Sequence, residues 1–154
     1  MAVKDNKQKL IGSILVLCSQ NTVRSPMLEA FLKQALGKKV YVRSAGVENA
    51  LLNPLAVEVM YEEGIDISGH VSESYEDLPP DSYDLILALS EPAYELAREI
   101  AREQAADIEY WSTSEPPRFA EESRETTLSA MRQIRDELKR HLENRFDLAL
   151  NKDT

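Results

Sequence analysis

One cysteine and one arginine set the chemistry open to this chain. Cys18 is the sole cysteine in the sequence, and Arg24 follows it after five residues, Ser19, Gln20, Asn21, Thr22 and Val23. A thiolate is a strong nucleophile, and a guanidinium presents a planar fork of donors suited to two oxygens of a phosphoryl group. Either residue alone says little, because a free cysteine at a strand end is often just a buried apolar side chain. Their setting says more. An apolar run at residues 14–17 leads into the pair, and Ser25-Pro26 open a stretch of helical periodicity behind it. The first N–H groups of a helix lack intrahelical partners and lie at the positive end of its dipole, so a loop curled over them cradles a tetrahedral oxyanion. The order strand, loop, helix therefore predicts Cys18 as nucleophile, with Arg24 and the loop amides from Ser19 to Ser25 holding the anion.

Hydrophobic periodicity predicts the elements that must position this loop. Residues 13–17 read as a buried strand, and a helix from Pro26 carries Met27, Leu28, Phe31, Leu32 and Leu36 until Gly37 ends it. Residues 40–42 are a second strand, closing on Ser44-Ala45-Gly46. Asn53-Pro54 open a helix that Gly64 ends, and residues 65–70 follow as an irregular extended stretch. A third strand is expected at 85–89, a helix at about 92–103 and a fourth strand at 108–111. The last helix opens between Ala120 and Thr126 and carries Leu128, Met131, Ile134, Leu138 and Leu142 at spacings of three and four. Residues 1–9 and those beyond Phe146 read as frayed ends. Strands joined through crossover helices predict one α/β domain: a parallel, doubly wound, four-stranded sheet flanked by helices on both faces. Ligands bind such sheets beyond the carboxyl ends of the strands, where the loops 18–25, 44–52 and 112–119 should converge.

Composition narrows the partners. The chain has 154 residues, 43% of them hydrophobic, which suits a single globular domain with a real core. Its net charge of −9 argues against nucleic acid or an anionic membrane as partner. That charge also cannot steer anions from afar, so anion selectivity must be local. The apolar run at 10–18 is shorter than the ~20 residues of a spanning helix and precedes no cleavage-site pattern, so the cytoplasm is the expected compartment. One cysteine permits no internal disulfide, and two histidines give no zinc-ligand spacing, so neither metal nor other cofactor is expected. The sequence does not specify an oligomeric state.

The loop C-S-Q-N-T-V-R-S-P at residues 18–26 resembles that of low-molecular-weight protein tyrosine phosphatases and the arsenate reductases sharing their fold, C-x-G-N-x-C-R-S-P. The resemblance spans Ile14 to about Leu142. It includes R-S-A-G at 43–46, G-I-D-I-S-G-H at 64–70, D-L-I-L at 84–87 and the acid-proline pair Glu115-Pro116. It implies the same four-stranded fold, Glu115 as general acid, and bracing of the loop by Asn21, Ser25, Ser44 and His70, with Ser25 hydrogen-bonded to the thiolate. The chain also departs from the pattern. Gln20 replaces a glycine, Val23 replaces a second cysteine, and Glu115 replaces aspartate. Pro117 and Arg118 stand where an aromatic residue lines a phosphotyrosine slot, and residues 47–52 hold no aromatic wall, which argues against phosphotyrosine specificity. Thr22 matches the threonine of relatives that act on phosphoarginine. Arg118 and Arg124 are candidates for extra contacts to an acidic substrate.

The resemblance implies a cysteine-dependent phosphatase acting on phosphorylated protein or small molecules through a cysteinyl-phosphate. Two alternatives remain open. Arsenate, also a tetrahedral anion, fits the same loop, and with no resolving cysteine its reduction draws electrons from a small external thiol. The other alternative is a catalytically weak oxyanion-binding or regulatory domain, motivated by Gln20, Glu115 and the missing aromatic walls.

Overall fold

A run such as Ser13–Cys18, apolar on both sides of its pleat, is stable only where both faces of a sheet are covered. The computed structural model, which describes residues 2–117 and 123–146, places it there. In chain order the strands are β1 (Val3–Lys4), β2 (Leu10–Ile11), β3 (Ser13–Cys18), β4 (Tyr41–Gly46), β5 (Leu85–Ala88) and β6 (Asp107–Tyr110). The helices are α1 (Arg24–Leu36), α2 (Pro54–Tyr61), α3 (Glu91–Ala101) and α4 (Arg124–Phe146). Four strands form one parallel sheet in the order β4-β3-β5-β6. Successive side chains of β3 point to opposite faces. Ile14 and Val16 join a core with Leu28, Phe31, Met131 and Leu138 from α1 and α4, while Leu15 and Leu17 join Ala93, Ala97 and Ile100 of α3. Each fully buried large side chain contributes roughly 1.5–3 kcal/mol. The α/β fold with helices on both faces is the one the sequence predicts, and among the described residues no helix is long and apolar enough to cross a membrane.

The element boundaries differ where pairing outweighs local signals. β4 extends through Ser44 and Ala45 to Gly46 because these residues pair with Val16, Leu17 and Cys18 of β3. α1 begins at Arg24, before the expected Pro26, since a proline is tolerated within a first helical turn. Ser90 caps α3 by accepting the Ala93 N–H at 3.3 Å, so that helix starts at Glu91.

The expected frayed lead-in is a hairpin. β1 and β2 pair antiparallel, and Asp5 closes the turn between them by accepting the N–H groups of Lys7 and Lys9, each at 2.8 Å. Its other oxygen pairs with Arg145 Nη1 at 2.6 Å, and Arg145 Nε donates to Glu109 at 2.7 Å. Periodicity carries no trace of this contact, because the partner lies at the far end of α4.

Asp5 is 3% exposed. Burial raises its pKa, but the Lys9 and Lys7 amides and Arg145 outweigh it and hold the carboxyl below its ordinary 3.8. Between the folded pKa and 3.8 the unfolded chain binds more protons than the native one, so the stabilisation is present above about pH 4 and lost as pH falls through the folded pKa. Asp5→Asn leaves a buried guanidinium with only part of its countercharge and should cost roughly 3 kcal/mol at pH 7. Thermal melts of the two proteins should therefore differ at pH 7 and converge on acidification.

Candidate functional site

β3 delivers Cys18 to the end of the sheet, and after five intervening residues α1 begins with Arg24. The turn between them depends on Asn21, which is fully buried with φ of +58°, a left-handed conformation that asparagine tolerates better than most residues. Its hydrogen bonds can be assigned direction from one fixed donor. The Glu73 N–H can only donate, so the Asn21 side-chain oxygen faces it at 3.0 Å. His70 Nε2 lies 2.9 Å from the same oxygen and therefore carries a hydrogen. The Asn21 NH2 then points the other way, donating to Ser25 Oγ at 2.7 Å and Ser44 Oγ at 3.0 Å. Ser44 passes its own hydrogen to the Glu29 carboxylate. Ser25 directs its hydroxyl at Cys18 Sγ, 2.8 Å away, and the Asn21 backbone N–H reaches the same sulfur at 3.2 Å. Two donors thus converge on the sulfur.

Burial lowers the pKa of His70 and the nearby Glu29 carboxylate opposes that shift, leaving the imidazole below its ordinary value. The supporting strand β4 comes close to the loop at Gly46. A Cβ built there would lie 2.1 Å from the Glu48 carbonyl oxygen, 2.8 Å from Gln20 C and 2.9 Å from Asn21 N, all backbone atoms. Only glycine fits. Main-chain bonds reinforce this approach: Val47 N–H donates to the Cys18 carbonyl and Glu48 N–H to that of Ser19, both at 3.0 Å.

Ser19 Oγ donates to Ser90 Oγ at 3.0 Å, and the Thr22 carbonyl accepts the Asn53 N–H at 3.1 Å. Gln20 does not adopt a left-handed conformation, so the position places no demand for glycine, and its side chain donates to Glu48 at 3.2 Å. Val23 is buried at the head of α1. Arg24 is 7% exposed, and its Nη1 donates to the Leu89 carbonyl at 3.1 Å.

A cleft of about 900 Å³ opens over this loop, lined by Cys18, Arg24 and Glu115 together with Leu51, Leu52, Pro92 and Pro117. The described parts of the three expected loops meet there. No aromatic side chain is among the described residues lining it. Arg124 instead pairs with Glu58 of α2, and Arg118 lies outside the described residues.

A family model for low molecular weight phosphotyrosine protein phosphatase matches residues 13–154. The chain belongs to this family. A glutaredoxin arsenate reductase from Synechocystis is 30% identical to this family member over 131 residues, 85% of this chain and 93% of the relative. Among solved structures, an arsenate reductase in the phosphate binding state matches with a TM-score of 0.71 at 30% identity, over 87% of this chain and 95% of that one. The tyrosine phosphatase Wzb from Escherichia coli, in complex with sulphate, matches with a TM-score of 0.64 at 25% identity, over 87% and 98%. All are enzymes, and so is this member of the low molecular weight phosphatase family.

The structure brings Asn21, Ser25, Ser44 and His70 into one network and adds three residues the sequence reading missed. Glu29 had a usable signal, standing four residues after Ser25 and so one helical turn behind it. Ser72, which donates to the Asn21 carbonyl at 2.6 Å, and Glu73 lie in an irregular segment with no period to mark them.

The glycine contact yields a direct test. Gly46→Ala must displace the backbone of the loop, and a shift on the order of 1 Å costs about 10²-fold in turnover when it moves reacting groups. Alkylation of Cys18 by iodoacetate should be slowed by phosphate in the wild type and lose that protection in the variant, with the far-UV spectrum unchanged.

Proposed function

We propose that this enzyme is a phosphomonoesterase working through a cysteinyl-phosphate. The observation that carries the reading is the sulfur of Cys18, held by two donors at the head of α1 in the cleft it shares with Arg24 and Glu115. The Cys18 thiolate attacks phosphorus in line, forming the S–P bond as the P–O bond to the leaving group breaks. Arg24 and the loop N–H groups hold the equatorial oxygens, with backbone from Ser19, Gln20, Asn21, Thr22, Val23 and Ser25 forming the cradle. A protonated Glu115 gives its hydrogen to the departing oxygen. Its carboxylate then takes a proton from water, which attacks phosphorus, breaks the S–P bond and returns the thiolate. The aliphatic and proline walls of the cleft suit a leaving group that is not stacked between aromatic rings. A phosphorylated protein or small molecule fits this description, and the cytoplasm is the compartment consistent with a lone reduced cysteine.

A second reading is arsenate reduction, supported by the similarity to the Synechocystis relative and to the phosphate-bound arsenate reductase. Here the Cys18 sulfur displaces water from protonated arsenate. An external small thiolate then attacks that sulfur, so the S–As electron pair stays on arsenic, which leaves as arsenite. A second external thiol reduces the mixed disulfide and frees Cys18. Cys18 is the sole cysteine of the sequence, so both electrons come from outside the chain.

Two assays on purified protein separate these readings: release of phosphate from an aryl ester, and arsenite formed from arsenate with glutathione. The phosphatase reading expects the first to proceed and to vanish in Cys18→Ser. Thiol-dependent arsenite with no ester turnover would reverse the order. Glu115→Gln should cut turnover of an alkyl or unactivated aryl phosphate by about 10²–10⁴-fold and that of a nitrophenyl ester far less, because only a poor leaving group needs the proton. Glu115→Asp should retain activity. Equal losses on both esters would mean loop damage instead.

A further inference from the structure

Glu115 is exposed, in a segment from 112 to 117 that belongs to no helix or strand. The backbone polar groups of such a segment need partners from elsewhere, and α4 supplies two of them, at Ser112 and Ser114. The His141 ring stacks on Trp111, with centroids 5.4 Å apart, and its Nε2–H donates to the Ser112 carbonyl at 3.0 Å. The firmest tether is at Ser114, the residue before Glu115. Its backbone N–H donates to Glu137 Oε1 at 2.8 Å and its hydroxyl to Glu137 Oε2 at 2.9 Å. Gln133, one turn earlier, donates to Glu137 Oε2 at 3.1 Å and to Ser114 Oγ at 3.3 Å.

An ionised carboxylate is the form best suited to accept three donors across both oxygens. Burial raises the pKa of Glu137, but the Ser114 and Gln133 donors outweigh that effect and hold it below its ordinary value. With both its N–H and its hydroxyl fixed, Ser114 has little freedom in either φ or χ1. On the other side Pro116 confines Glu115 itself to extended conformations. The backbone at Glu115 is therefore constrained from both sides. Glutamate has one more rotatable bond than the aspartate of the family pattern, which makes a fixed backbone more valuable here.

We propose that Glu137 is a positioning residue for Glu115, holding the acid-bearing loop against the cleft through its two-point grip on Ser114. This rests on the reading of Glu115 as general acid. Glu137 touches no substrate; it acts through the peptide that carries the proton donor. Glu137→Gln keeps the side chain's size but loses one of the two acceptors, and Ser114→Ala removes the hydroxyl bond without touching α4.

The experiment measures kcat and KM of the full chain on an unactivated aryl phosphate and on a nitrophenyl ester, for wild type, Glu137→Gln, Ser114→Ala, Glu115→Gln and the double variant Glu115→Gln/Glu137→Gln. Glu137→Gln should lower kcat on the unactivated ester by about 10–100-fold with KM nearly unchanged, and barely affect the nitrophenyl ester. Ser114→Ala should show a smaller loss with the same substrate pattern, and decides the matter if Glu137→Gln does not fold. The double variant should be no slower than Glu115→Gln alone, because the tether has nothing left to position. Equal losses on both esters, a change in KM alone, or multiplying losses in the double variant would overturn the proposal. If Glu115→Gln shows the selective loss and Glu137→Gln does not, positioning alone fails. If Glu115→Gln shows none, or neither ester turns over, the general-acid reading fails and takes this one with it.

Discussion

The side-chain amide of Asn21 is the interaction on which the rest of the site depends. It lies fully buried between β4, α1 and the irregular segment carrying His70 and Glu73, and both its hydrogens and its oxygen are engaged. A buried donor or acceptor left unpaired costs about 1–3 kcal/mol, so any movement of the loop would forfeit several such bonds together. That cooperation is what keeps a residue in the left-handed conformation and turns the chain back over the head of α1. It also gives the network a direction. Hydrogens run from Glu73 and His70 into the amide, and out of it through Ser25 towards sulfur and through Ser44 towards Glu29.

The departures from the family loop are absorbed without disturbing this frame. Gln20 occupies a place that needs no glycine, because the residue with positive φ is its neighbour, and its side chain is taken up by Glu48. Val23 is buried where the family pattern has a cysteine, so it serves as packing at the first turn of α1. The close approach that does demand a glycine lies across the sheet at Gly46.

Most of the fold was legible because buried parallel strands and amphipathic helices print their periods directly on the sequence. The placing of Cys18 and Arg24 in one cleft was legible from their spacing and context. Contacts between distant segments were not. Asp5 and Arg145 each read as a surface charge until the hairpin brings them together, and Glu137 reads as one more acidic residue on a charged helix until Ser114 is seen beneath it. Ser44-Ala45-Gly46 reads as a turn by composition, and only pairing along the full length of β3 draws it into a strand. In each case the deciding partner is far away in sequence, where no local pattern can record it.

The carbonyl of Leu89, just past the end of β5, accepts Arg24 Nη1 at 3.1 Å and the Thr113 hydroxyl at 3.4 Å. Beside it the Ala88 carbonyl takes the Trp111 N–H at 2.8 Å. The Arg24 side chain and the loop that carries Glu115 are therefore referenced to a single point of the scaffold. When thermal breathing of the sheet shifts that point, both are carried with it. Their separation is insulated from a motion that would vary it if each hung from a different strand, so the site gains alignment by sharing an anchor, without the whole sheet having to be stiff.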